Sequence, residues 1–248
     1  MKSISFACLP VFLCAFATSC KPKETPPGTP QVSALALADM PLLKVEPGDF
    51  WTYRVHIEMP AGVTSPEAAA VDSTHERVRT FLGKVPFVKD KPDVDCFEVI
   101  APHSPPDREY VNIFDDRIEL VGELVMKDAG SHPIVFPSPV VFVKAGIQAG
   151  EPMGIPAEVA GRQRGGSVIG REEVEVPAGK FKAIRLLTSG MDGAIESRRT
   201  IWFSPGNGIV KVETVRYAQG HVKLKETQEL SAKGHKPVED RPKGDAPH

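Results

Sequence analysis

No apolar stretch in this 248-residue sequence is long enough to cross a bilayer as a helix, which takes about 20 residues; the longest, Phe6 to Ala17, stops short. Cysteine is nearly absent from the body of the chain. Cys8, Cys14 and Cys20 fall at the front, leaving Cys96 alone, so no disulfide framework can hold a fold together. Cys96, in "VDCFEVI", reads as a small buried hydrophobe. A formal charge of −2 offers no basic excess for nucleic acid. The seven histidines are scattered, without H-E-x-x-H or another paired spacing, so neither a metal nor a cofactor is expected. His56 with Glu58, two apart on one strand face, is the best metal pair and reads as a solvated surface. "GGSVIG" is not G-x-S-x-G, and Gly179-Lys180 lacks the rest of a phosphate loop. Sustained helical periodicity is missing too, with one short helix expected over "SPEAAAV", Ser65 to Val71.

The front of the chain carries one basic residue, Lys2, then the short apolar run, then "ATSC". Small residues directly before Cys20 suit a signal peptidase pocket, and the stretch resembles the lipobox of bacterial lipoproteins. The resemblance implies a signal peptide over 1–19 and acyl chains on Cys20, a lasting membrane tether. Lys21, where inner-membrane lipoproteins tend to have Asp, implies the outer membrane. Residues 20–40 then form a lipidated, proline-rich linker. A β domain is expected over 41–230, and 231–248, with Val238 as its single larger apolar residue, reads as a disordered tail.

Many short apolar runs between 24 prolines and 21 glycines point to strands and turns, an all-β, mainly antiparallel fold. In "FWTYRVHIE", Trp51, Tyr53, Val55 and Ile57 alternate with polar residues, marking a strand with one buried face. Further strands are expected near Glu76 to Val85, Asp95 to Ala101, Glu109 to Phe114 and Arg117 to Val125. The second half restates the first: Gly83 falls on Gly170, Cys96 on Ala183, Phe114 on Phe203 and Ile118 on Ile209, giving two repeated halves, 42–127 and 140–230. "VPAGKF" and "SPGNGI" read as hairpin turns.

The string from Gly170 through Glu172, Val174, Val176, Pro177, Ala178, Gly179, Phe181, Ala183 and Arg185, followed by Trp202, Phe203, Pro205, Gly206, Gly208, Val210 and Lys211, resembles a motif of bacterial periplasmic proteins and lipoproteins. TapB-family members are among them, and they are distantly similar to the LolA/LolB carriers. The resemblance implies a strongly curved sheet, an open half-barrel with an apolar inner face, and no catalytic role. Trp51, Tyr53, Trp202 and Phe203, with Tyr217, are the candidates to line a ligand surface, and no catalytic residue is expected. The carboxylate pairs Asp115-Asp116 and Glu172-Glu173 read as solvated. The expected function is non-enzymatic: an outer-membrane lipoprotein binding an apolar ligand, such as a lipid or acyl chain, or an envelope protein. The alternatives are a structural or assembly accessory of the envelope, or a hydrolase with an unrecognised site.

Overall fold

A computed structural model describes residues 41–63, 65, 67–127, 130–153, 158–159 and 162–237. Cys20 and the linker lie outside them. Among the described residues, twelve strands make one antiparallel sheet: β1 (Asp49–Met59), β2 (Val71–Val85), β3 (Val94–Ile100), β4 (Asp107–Ile113), β5 (Arg117–Lys127), β6 (Gly130–Lys144), β7 (Glu158–Val159), β8 (Arg162–Val176), β9 (Gly179–Asp192), β10 (Ile195–Ser204), β11 (Gly208–Ala218) and β12 (His221–His235). The sheet order is 6-5-4-3-2-1-12-11-10-9-8-7, so two six-stranded meanders meet where β1 pairs with β12. The sheet curls into a half-barrel. Phe142 of β6 meets Phe203 of β10, ring centroids 6.1 Å apart, although seven strands separate them in the sheet.

Alternation drives this curl. Trp51, Tyr53 and Val55 are buried on the inner face of β1 while Thr52, Arg54 and His56 stay at least partly exposed, as the period of two requires. Phe81, Phe97, Ile201, Phe203 and Leu230, from strands on either side of β1, belong to the same core cluster. One end of the trough is closed by the chain before β1. Leu42 accepts a hydrogen bond from the Gly206 amide at 2.9 Å and donates to the Asp115 carbonyl at 3.5 Å, strapping the β10–β11 turn to the β4–β5 turn. Leu42 and Leu43 are buried beneath it.

Several expectations need correction. Ser65 and Glu67 to Ala70 adopt bend, turn and coil, and Val71 opens β2, so no helix forms there. A single turn is too short to repay the cost of nucleation. Ser231 to His235 continue β12, with Trp51 opposite Lys233 and the Ser231 hydroxyl donating to the Thr52 carbonyl at 3.0 Å. Ladder hydrogen bonds do not demand apolar side chains, which is why composition missed them. The first meander also runs to Lys144, so the division at 127 and 140 cuts through β6. Prolines 133, 137 and 139 hide that strand in the sequence, and an edge strand tolerates them.

Bulges fall at matching places in the two meanders. The register shifts between Phe81 and Gly83 on β2 and between Val168 and Gly170 on β8. It shifts again between Tyr110 and Val111 on β4 and between Trp202 and Phe203 on β10. Gly83 takes φ +91°, with Pro47 Cγ 3.1 Å from where a Cβ would stand, so only glycine suits this bulge. Counting from the bulges, Cys96 opposes Gly83 as Arg185 opposes Gly170, and Val111 stands where Phe203 does. Cys96 on Ala183 and Phe114 on Phe203 are therefore out of register, because the two β-hairpins close differently: β2–β3 in a loop over 86–93, β8–β9 at Pro177-Ala178.

That loop covers part of the outer face. Phe87 stacks on Tyr110 at 3.8 Å, sealing a satellite cluster of Val94, Cys96 and Tyr110. Gly122 lies beneath it, where a Cβ would come within 2.6 Å of the Phe87 ring and 2.5 Å of the Ile134 carbonyl oxygen. Cys96 is fully buried, and burial pushes its thiol up from 9.0 to about 12, against a smaller opposing pull from Arg108. Because the folded value is raised, the stability gained by keeping the thiol neutral is whole below pH 9.0 and is lost as pH climbs towards 12. In the chain from Lys21 onward, a disulfide exchange reagent should leave Cys96 untouched at pH 8 and titrate its one thiol in denaturant; native labelling within minutes would contradict this burial.

Candidate functional site

β2, β4, β10 and β12 all run in one direction in the antiparallel sheet. On each, the inner-face residues begin charged or polar and end apolar. β2 passes from Arg77 and Arg79 to Phe81; β4 from Asp107 and Glu109 to Val111; β10 from Arg199 to Ile201 and Phe203; β12 from Glu226 and Gln228 to Leu230. The trough is therefore a cup. Its apolar floor lies towards the Leu42-Leu43 strap and its mouth is polar.

Inside is a cavity of about 160 Å³. Leu43, Phe97, Val111, Ile118, Phe142 and Phe203 are among the residues of its floor and walls, and Arg79, Glu109 and Arg199 are its charged lining. Ligand-sized pockets start near 300 Å³, so the cavity accepts the end of one chain and not a whole lipid.

At the mouth, Nε and Nη2 of Arg79 both reach Glu109 Oε2 at 2.9 Å. The Arg79 guanidinium lies over the Phe97 ring, 3.5 Å from its centroid. Burial pushes the Glu109 carboxyl up, but Arg79, Arg199 and Arg77 together outweigh it and hold the group below its usual range. Glu109 keeps 43% of its side-chain surface because the cup is open above it, while protein surrounds it on the other sides. Burial also raises the Tyr53 phenol well above its ordinary value. One step outward, Arg77 Nη1 donates to Glu226 Oε1 at 3.0 Å. By strand register, Arg216 shares the inner face with Thr214. Among the described side chains, the open end thus carries Arg77, Arg79, Arg199 and Arg216 against Asp107, Glu109 and Glu226, so charges of both signs meet there.

Of the aromatic candidates, Phe203 lines the cavity. Trp51 and Tyr53 reach the same inner face as buried wall residues, the Trp51 indole N–H donating to the Asn207 carbonyl at 2.7 Å and the Tyr53 hydroxyl to that of Ile209 at 2.9 Å. Trp202, between Ile201 and Phe203, turns to the outer face, donates to Glu172 Oε1 at 2.6 Å and is flanked by Arg185 and Lys211. His56 does meet Glu58, at 3.3 Å, as an exposed outer-face pair. Asp116 is held by Arg117 at 3.1 Å. Arg79, Glu109 and Arg199 were not among the residues expected from sequence. Their signal was present: each is a charge at the apolar parity of an amphipathic strand.

No protein-family model matches the chain, and no curated protein is similar enough in sequence to match it. Two solved structures are similar in shape. One is a protein provisionally described as exported, with a YmcC-like fold, from Bacteroides fragilis; it is 11% identical, over 79% of this chain and 99% of that one, with TM-score 0.44. The other, provisionally described as a lipoprotein from Parabacteroides distasonis, is 11% identical over the same shares, with TM-score 0.43.

Proposed function

We propose that the chain is a non-enzymatic lipoprotein of the outer membrane, held by acyl chains on Cys20, whose β domain binds the apolar end of a ligand in the cup. The observation that carries this reading is the cavity itself: an apolar hollow closed at one end by Leu42 and Leu43 and open at the other through a charged mouth. A packed interior would leave no such space. The "VPAGKF" and "WFSPGNG" stretches, with their likeness to TapB-family proteins and more distantly to the LolA/LolB carriers, support the reading. Matching strand order and matching bulges support the origin of the two meanders in one doubled unit.

Binding an envelope protein by strand addition is less favoured. One sheet edge is β6, with prolines 133, 137 and 139, and the other ends in the two-residue β7. Proline and short strands are the devices that discourage edge pairing.

Two measurements test the proposal. Metabolic labelling with palmitate should tag the wild type and not Cys20→Ala; an unlabelled wild type would remove the anchor. Mass spectrometry of small molecules co-purifying with detergent-free Cys20→Ala protein should find an amphiphile near one equivalent, and Phe203→Trp, which fills the cavity, should lose it. Equal recovery from both proteins would show that the cup is not the site.

A further inference from the structure

The mouth of the cup says what kind of head its ligand carries. A ligand with one charge would bring that charge against residues of the same sign, because both signs alternate around the opening. Arg79 lies beside Glu109 and Arg77 beside Glu226, each pair within 3.0 Å, so both signs stand side by side at that end. A head that itself carries both charges meets each with its opposite. Beneath, the cavity of about 160 Å³ sets the tail. At roughly 30 Å³ for each water-sized group, it holds about five or six carbons of a single chain.

Resting on the reading of the cavity as a ligand site, we infer that the cup takes a single-chain zwitterionic amphiphile, its tail end in the cavity and its phosphate-type anion and ammonium-type cation shared between Arg79 and Arg199 on one side and Glu109 and Glu226 on the other. The guanidiniums suit a phosphate because their planar forks offer paired donors. Arg79 is already fixed in place by the Phe97 ring and Glu109, so little side-chain freedom is lost when a head arrives.

The test is calorimetric titration of the full chain carrying Cys20→Ala, below micellar concentrations, with four eight-carbon probes: octylphosphocholine, octanoate, octylammonium and octanol. Octylphosphocholine is expected to bind at least tenfold tighter than any of the other three. Along an alkylphosphocholine series, affinity should rise about fourfold per methylene and level off once the cavity is full, near five or six carbons. Arg199→Gln should cut the preference for the zwitterion over octanol at least tenfold. If octanoate, octylammonium or octanol matches the zwitterion, the assignment of the head falls while the cavity stands. If no probe of any charge binds, the cavity reading falls with it. The comparison among probes on the unsubstituted cup decides the matter even if Arg199→Gln does not fold.

Discussion

Trp51→Ala should lower the stability of the domain by about 3–5 kcal/mol, the range for emptying a buried large aromatic site. Trp51 is fully buried. It stands where β1 meets both meanders, its ring edge-on to Phe97 at 5.9 Å and its N–H holding the Asn207 carbonyl in the β10–β11 turn. Gly208, at φ +86°, brings the backbone close beneath it, a Cβ there falling 3.7 Å from the indole nitrogen. Removing the ring leaves a cavity and an unpaired carbonyl together, and neither the strap at Leu42 nor the turn can collapse into the space without breaking its own hydrogen bonds. For a chain of this size the loss corresponds to a fall in Tm of roughly 10 °C or more. Trp51→Phe separates the two costs: it keeps most of the packing and should lose only about 1–2 kcal/mol, chiefly the hydrogen bond. Thermal melts followed by far-ultraviolet circular dichroism would measure both. A loss below about 1 kcal/mol for the alanine variant would mean that the ring is not at the junction of the halves.

The same tryptophan shows how far the sequence could be read. Alternation in "FWTYRVHIE" is a direct consequence of strand geometry, so the inward turn of Trp51, Tyr53 and Val55 followed from the residues alone. The turns at Pro177-Ala178 and Pro205 to Asn207 were legible for the same reason: their chemistry is local. β6 was not. Its prolines argue against a strand until it is known that the strand lies at an edge, and edge position is a property of the sheet. The continuation of β12 past Leu230 was hidden likewise, since its partner β1 is about 180 residues away along the chain. Trp202 shows the opposite failure. An aromatic on a strand adjoining Phe203 reads as a neighbour in function, yet consecutive residues face opposite ways, and Trp202 serves the outer face with Glu172. The charged mouth needed both kinds of knowledge. That Arg79 and Glu109 each break an apolar face is visible in the sequence; that they break it at the same height becomes visible only once β2 and β4 are known to run in the same direction.

Arg79→Met should cost about 2–4 kcal/mol at neutral pH, and the size and pH dependence of that cost tell whether the mouth is an electrostatic unit. Methionine fills the space over Phe97 but gives up the cation–π contact, worth about 0.5–2 kcal/mol. It also leaves the Glu109 carboxylate without its nearest partner. Stripping one member from a buried pair costs about 3–5 kcal/mol, but Glu109 is partly open to water through the mouth, and that screening reduces the penalty. The sign of the pH effect is diagnostic. In the wild type the Glu109 pKa is depressed, so the stability it supplies is present above its unfolded value and is lost as pH falls through the folded one. Without Arg79 the burial that Arg79 had offset raises that pKa, so protonation relieves the strain and the difference from wild type shrinks on acidification. Glu109→Gln in the Arg79→Met background should recover at least half of the loss at pH 7, because the amide removes the charge that lost its partner while keeping the shape. Chemical denaturation of the four proteins at pH 7 and pH 4 completes the cycle. Additive losses with no pH dependence would show that Arg79 and Glu109 stand near each other without acting on each other, and the mouth of the cup would then be a crowd of separate charges.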